Sequence, residues 1–262
     1  MCHFSTFGGN FLKATVVIAA HKPCRLPEDP LYLPVQAGAA LHEPFGLTGD
    51  NTGDHISEKN GTYCELTVLY WAWKNLDSEY IGLAHYRRHF RGKGRSPLTL
   101  EEAEALLAEA PVLLPKKRRY YIESLYSHYA HTLEVGPLEE TGRILQEKWP
   151  AYYPEFERLK KRTSAHMFNM LLMRRDLLDA YCSWLFDVLA ELETRVDTEG
   201  MEAFHARFPG RISELLLDVW LNTNGQAYRE IPFLYTEKVS FVKKGIGFLK
   251  AKFFGKKYGQ SF

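Results

Sequence analysis

One stretch, Tyr80-Ile81-Gly82-Leu83-Ala84-His85-Tyr86-Arg87-Arg88-His89-Phe90, constrains this chain more than any other. An uncharged apolar run of strand length stops at His85, and the five residues from His85 to His89 hold two histidines and two arginines. Strand interiors do not need that chemistry, but strand ends do, because α/β sheets bind ligands outside the carboxyl ends of their strands. Arginine offers a planar fork of donors that matches phosphate or carboxylate. The segment therefore reads as a buried strand that delivers cations to an anionic ligand; the simpler alternative is a positive turn in solvent. If the strand ran on, Arg87 and Arg88 would point opposite ways, one to the anion and the other to a carboxylate. His85 would donate to a phosphate oxygen or a sugar hydroxyl, or else be a core histidine tied to a backbone carbonyl.

The same grammar recurs along the chain. Ala14 to Ala20 is a continuous, largely β-branched run that suits a buried parallel strand, and it ends in His21-Lys22-Pro23. Leu31 to Gln36 is a second short strand, expected at a sheet edge because Pro34 interrupts it. Val112 to Pro115 runs into the cations Lys116 to Arg119, of which at least two are expected to be solvated. Phe168 to Met173 has the composition of a central strand. Helices are expected over 63–75, where Leu66, Leu69, Tyr70 and Trp73 recur at helical spacing, and over 97–110, 174–195 and 215–221. Residues 120–165 read as largely helical and rich in aromatics. Alternating strands and helices predict an α/β fold with a mostly parallel or mixed sheet. At 262 residues and 45% hydrophobic, the chain can bury one large core, or a core with a helical annex.

A net charge of +1 argues against a nucleic-acid partner. Cys2, Cys24, Cys64 and Cys182 are scattered without a CxxC pair, so no disulfide framework or zinc knuckle is implied. No run of eighteen apolar residues suggests a transmembrane helix. Residues 1–13 are expected to be a disordered leader, 14–237 the α/β domain, and 238–262 a basic amphipathic tail. That tail holds seven lysines and no acid, with Val242, Ile246, Leu249 and Phe253 at helical spacing. Such a pattern lies on an anionic membrane surface, or packs on the domain with its lysines in water.

Several side chains could carry chemistry. Asp50 and Asp54 lie in a Gly-Asp-Asn-Thr-Gly-Asp loop that partly resembles a calcium loop but lacks its closing glutamate, so a hydrogen-bonded turn or contacts to sugar hydroxyls fit better. Glu65 sits among aromatics, as a paired structural carboxylate or a sugar ligand. His128 and His131 share a helix face, yet no third ligand accompanies them and no metal is expected. Arg211-Ile212-Ser213-Glu214 precedes an apolar helix, with Ser213 or the residues beside it able to cap it. Glu214 is then a helix-start carboxylate, or a general base at the floor of a cleft. No GxGxxG, P-loop, GxSxG or HExxH pattern is present.

Taken together, Val16 to Lys22, Leu31 to Gly38, Asp50 to Asn60, Tyr63 to Thr67, Tyr70 to Asn75, Ile81 to Phe90, Phe168 to Met170 and the lysine-rich Phe248 to Phe262 resemble the bacterial capsular-polysaccharide and O-antigen glycosyltransferases marked by a His-Tyr-Arg-Arg signature. The resemblance covers roughly residues 14–262. It implies a compact GT-A-like α/β fold with a mixed sheet flanked by helices. The implied activity is transfer of a hexose, galactofuranose being the associated sugar, from a UDP donor to a lipid-linked surface glycan.

In such folds an Asp-X-Asp motif usually holds a metal, and here His85-Tyr86-Arg87-Arg88 takes that position. The resemblance thus implies no metal and no other cofactor, since cations can neutralise the departing UDP. Donor binding falls to Ala20, His21, Lys22, Asp50, Asn51, His85, Tyr86, Arg87 and Arg88. Catalysis falls to Glu214 with Asp54 in reserve, and acceptor binding to Glu65, His128, His131 and Asn169. A lipid-linked acceptor implies a cytoplasmic protein, peripheral at the inner face of the cell membrane through its tail. The alternative is a non-catalytic domain of the same fold that binds nucleotide sugar or glycan; a magnesium-dependent nucleotidyltransferase is a third reading.

Overall fold

The apolar runs that stop at cations become neighbouring strands of one sheet. The computed structural model describes residues 13–237, with strands β1 (Ala14–Ala20), β2 (Tyr32–Gln36), β3 (Thr48–Gly49), β4 (Tyr80–His85), β5 (Arg88–Phe90), β6 (Val112–Pro115), β7 (Arg118–Arg119), β8 (Ser164–Ala165), β9 (Leu171–Arg174), β10 (Arg229–Ile231) and β11 (Phe233–Tyr235). The helices are α1 (Asn60–Tyr63), α2 (Leu66–Asn75), α3 (Leu100–Leu107), α4 (Leu125–Thr132), α5 (Gly136–Lys148), α6 (Tyr153–Lys161), α7 (Arg175–Arg195) and α8 (Phe208–Thr223). The tail expected over 238–262 lies outside the described residues, as does the leader except for Lys13.

The main sheet runs β10-β6-β9-β4-β1-β2-β3, with β5 paired to β4 and β11 to β5. β1 pairs in parallel with β2 and β4, whereas β9 runs antiparallel between β4 and β6. This is the mixed, mostly parallel sheet flanked by helices that a GT-A-like fold requires. β4 and β9 approach closely because residue 82 is glycine. A Cβ there would stand 2.6 Å from the Leu171 carbonyl oxygen, a backbone atom with no room to yield.

Period-two alternation splits β1 between two cores. Val17 and Ala19 face the larger core, shared with α2, α5, α6, α7 and α8; Val16, Ile18 and Ala20 face a smaller one, closed by Leu98 and α3. Both faces of the strand are buried, which is why its sequence is apolar throughout. α3 begins at a capping box, in which the Thr99 hydroxyl accepts from the Glu102 amide and the Glu102 carboxylate accepts from the Thr99 amide.

Four expectations need correction. β2 is not an edge strand, since β3 pairs beyond it. The Gln36 carbonyl accepts from Asp50 on the β3 side, so Pro34, two residues earlier, turns its missing donor to that side, short of where β3 begins. The helix expected over 63–75 is two helices, because Cys64 (φ 54°, ψ −131°) breaks the chain between α1 and α2. The strand expected from residue 168 starts at Leu171, because Phe168 (φ 77°) and Asn169 (φ 55°) both adopt left-handed backbone. Finally, Arg211 to Glu214 lie inside α8, not before it. The Ser213 hydroxyl bonds the Asn169 side chain and the Gly210 carbonyl and caps nothing.

Asp50 is the main polar knot of the first half. Fully buried, it accepts from the amides of Gly38 and Ala39 at 2.9 Å each, from the Ser57 hydroxyl at 2.5 Å and from the Thr67 hydroxyl at 2.6 Å. These bonds tie the end of β2 to the following loop and to α2. Its acceptor capacity is spent on partners inside the fold. Asp50→Ala should cost roughly 3 kcal/mol or more, since four donors lose a buried charged partner. Urea unfolding measures this, and a loss below about 1 kcal/mol would contradict the role.

Candidate active site

β1 and β4 end side by side, with Ala19 opposite His85. The chain does not run on past His85. His85 pairs with Arg88 across a tight antiparallel turn, so Tyr86 and Arg87 form its tip. That reversal removes the expected alternation, and Arg87 and Arg88 both line one cleft of about 720 Å³. The Nε atoms of both guanidiniums are buried without a hydrogen-bond partner. Arg88 is held between aromatic rings, 4.2 Å from the centre of Phe168 and 5.6 Å from that of Tyr235.

His85 also lines the cleft. Its Nδ1 accepts from the Arg87 amide at 3.2 Å, which places the proton of a neutral ring on Nε2. Burial, then the neighbouring Arg87 and Arg88, push its pKa down to about 2. His85 therefore contributes a neutral donor and no charge. His21 lines the same cleft; its pKa is lowered by burial and by Arg87, and its Nε2 meets the Tyr86 hydroxyl at 3.2 Å.

Other expected donor residues stand elsewhere. Tyr86 is 3% exposed and braces His21 from behind, its amide bonded to Ala19. Ala20 faces the smaller core, its carbonyl taken by Ala37; the cleft-facing residue is Ala19. Lys22 is exposed and paired with Glu237. Asn51 and Asp54 are exposed outside the cleft, with Asp54 accepting from the Tyr70 hydroxyl. None of these expected residues lines the cleft.

The floor of the cleft comes from α8. Arg207 precedes its first residue, while Arg211 and Glu214 follow one and two turns on, a spacing that sets all three toward the cleft. Glu214 lines the cavity and is partly buried. Burial, then the negative charge of Glu65, raise its pKa from 4.5 to about 7, while Arg88, Arg211 and the Phe168 amide act the other way. Glu65 lines the cleft too. Its Oε1 accepts from Asn169 Nδ2, which also donates to the Gly210 carbonyl, and Ser213 donates to Asn169 Oδ1. Asn169 is thus buried behind Glu65 and orients it, which its left-handed backbone makes possible.

The opposite wall holds Arg118 and Arg119, Tyr120 and His128. His128 is kept neutral mainly by burial, its pKa lowered to about 4. His131 turns to the buried Glu123 at 2.7 Å and does not line the cleft. Six arginines and two carboxylates therefore face one space. None of the six makes an ion pair with a carboxylate among the described residues; Arg207 Nε donates to Cys64 Sγ. Arg207 and Arg211 escaped notice in the sequence because the helix was expected to begin at residue 215. Had its start been placed at Phe208, the 207, 211, 214 spacing would have marked them. Among the described residues no cluster of three histidine, cysteine or acidic side chains could hold a metal ion. The site can bind a polyanion and accept a proton near neutral pH.

A family profile described as a domain of unknown function (DUF4422) matches residues 15–225. No curated protein matches the chain. Among solved structures, the apo structure of a WbbM bifunctional glycosyltransferase superposes with a TM-score of 0.76 at 26% sequence identity. The match covers 87% of this chain but 46% of that one, so this chain spans less than half of that protein.

Glu214 makes a stability prediction with a definite sign. An acid whose folded-state pKa is raised holds its proton more tightly when folded, so stability is fullest below pH 4.5 and falls as pH rises toward 7. Glu214→Gln should raise the melting temperature at pH 8 by about 5 °C, and the gain should vanish near pH 4. A lower melting temperature at pH 8 would contradict the environment assigned to Glu214.

Proposed function

The chain belongs to the DUF4422 family, and on that premise we propose that it is a glycosyltransferase moving a hexose from a UDP-sugar to a hydroxyl of a lipid-linked surface-polysaccharide acceptor, without a metal. Galactofuranose is the hexose that the sequence resemblance favours. The observation that carries the reading is the pairing, in one cleft, of unneutralised arginines at the β4–β5 turn with a carboxylate whose pKa is raised to about 7. The superposition on a bifunctional glycosyltransferase supports it independently.

Each group has a part in an inverting transfer. Glu214 takes the proton of the acceptor hydroxyl as that oxygen bonds to the anomeric carbon. The bond from that carbon to the diphosphate oxygen breaks, and its electron pair stays on UDP. Charge grows on the diphosphate at that moment, and Arg88, fixed between Phe168 and Tyr235, is preorganised to meet it. His85, neutral with its proton on Nε2, donates to a phosphate oxygen or a sugar hydroxyl. His21 and Arg87 extend the donor site along the end of β1. Glu65, oriented by Asn169, is set to accept from acceptor hydroxyls.

The two signature arginines should not behave alike. Arg88→Ala should lower kcat/KM for UDP release about a hundredfold with the fold intact, and Arg87→Ala, whose guanidinium lies over the single ring of Tyr86 at 5.5 Å, should lower it less. Equal, unimpaired turnover in both variants would sink the assignment. Because Glu214 must be ionised to act as a base, the rate should rise with pH through about 7, and Glu214→Gln should lose about a hundredfold or more and flatten that profile. Turnover by wild-type protein should persist in EDTA.

A further inference from the structure

Among the described residues, three large apolar side chains stand well out in solvent: Leu41, Tyr121 and Ile122. The last two are neighbours on the rim of the cleft, 87% and 62% exposed. Their exposure is built in. The Glu123 amide donates to the Tyr120 carbonyl at 2.8 Å, closing a turn with Tyr121 and Ile122 at its tip. The turn is anchored on both sides, Tyr120 N–H to the Thr163 carbonyl and Leu125 N–H to the Arg162 carbonyl, each at 2.8 Å. The Glu123 carboxylate, buried beneath it, bonds His131. A turn that serves only to reverse the chain in water carries Gly, Asn, Asp or Ser at such positions. An aromatic and a β-branched residue fixed there by backbone bonds point to a partner.

The charges nearby say what kind. Residues 116–122 read Lys-Lys-Arg-Arg-Tyr-Tyr-Ile, with no acid. Lys116, Arg118 and Arg119 are exposed, and neither arginine is ion-paired among the described residues. Cations below an apolar tip are the chemistry of an anionic lipid interface, where rings and aliphatic chains enter and guanidiniums meet headgroup phosphates. The described residues end beside Arg87, which lines the cleft. The Thr236 amide donates to the Arg87 carbonyl and Glu237 pairs with Lys22, and the seven lysines of residues 238–262 follow directly.

We propose that the turn from Lys116 to Ile122 is a membrane-docking lip. Tyr121 and Ile122 enter the interface of an anionic bilayer, Arg118 and Arg119 bind its headgroups, and the mouth of the cleft is held against the lipid surface. This surface is distinct from the C-terminal tail and does not depend on the transfer reading, because its test reads binding and not turnover.

The test is co-sedimentation of the full chain with vesicles of phosphatidylcholine alone or mixed with phosphatidylglycerol. Wild type should partition to the anionic vesicles only. Tyr121→Ser with Ile122→Ser should weaken that partition about tenfold while leaving the melting temperature unchanged. Arg118→Gln with Arg119→Gln should weaken it roughly fivefold per arginine, and salt should erase the difference. In a second readout, Tyr121→Trp should shift its emission to the blue on vesicle addition and be quenched by brominated lipid. Equal partition of wild type and both double variants, or no shift at Trp in position 121, would overturn the proposal.

Discussion

The in-register parallel pairing of β1 with β4 is the constraint on which the rest of the site depends. Because Ala19 lies opposite His85, both strands stop at the same level, and the chain leaving each of them must turn outward there. The reversal at His85 to Arg88 is possible because β5 finds partners in β4 and β11 at once. That short antiparallel annex to a parallel sheet sets two guanidiniums on one side of the strand ends. Without it, strand alternation would have sent one of them into the smaller core. β9 closes the other flank of β4 through the gap that Gly82 leaves, and the left-handed pair just before it sets Phe168 in the cleft and Asn169 behind Glu65.

Those two residues couple the sheet to α8. Phe168 supplies a ring for Arg88 and an amide for Glu214, while Asn169 fixes Glu65 and binds the Gly210 carbonyl and the Ser213 hydroxyl. A bulky residue at positive φ is unfavourable in isolation, of order 1 kcal/mol or more. Here it persists because both neighbours of the turn are locked by hydrogen bonds and ring contacts. The outcome is a cleft in which the charge of Glu65 raises the proton affinity of Glu214, and whose cations outnumber these two carboxylates. Aromatic faces at Phe168, Tyr235, Phe204 and Tyr120 relieve Arg88, Arg211 and Arg118 in part. Full neutralisation requires a polyanion from outside, which is what a sugar nucleotide would bring.

Much of this was legible in the sequence, and the failures have physical causes. β1, β4, β6, α3 and α7 were readable because uninterrupted apolar runs and long helical periods report burial directly. The His85 to Arg88 cluster was found because charge at the end of a buried strand has few structural uses. Asp50 misled because a polar loop looks solvated, whereas its carboxylate is buried by partners distant in sequence: Gly38, Ala39, Ser57 and Thr67. Tyr86 misled because nothing local tells a tip residue that faces inward from one that faces the ligand. Arg207 and Arg211 were missed because Pro209 in the first turn of α8 was not recognised as a helix start. β10 and β11 are three residues each, shorter than any period can reveal.

The central claim is that the arginines of the β4–β5 turn hold the diphosphate of a nucleotide without help from a metal. Calorimetric titration with UDP in excess EDTA tests it most directly, run on wild-type protein and on Arg88→Ala. The account predicts saturable binding by wild type that EDTA leaves intact, and binding weakened about tenfold or more in the variant. Binding abolished by EDTA, or an Arg88→Ala affinity equal to that of wild type, would contradict it.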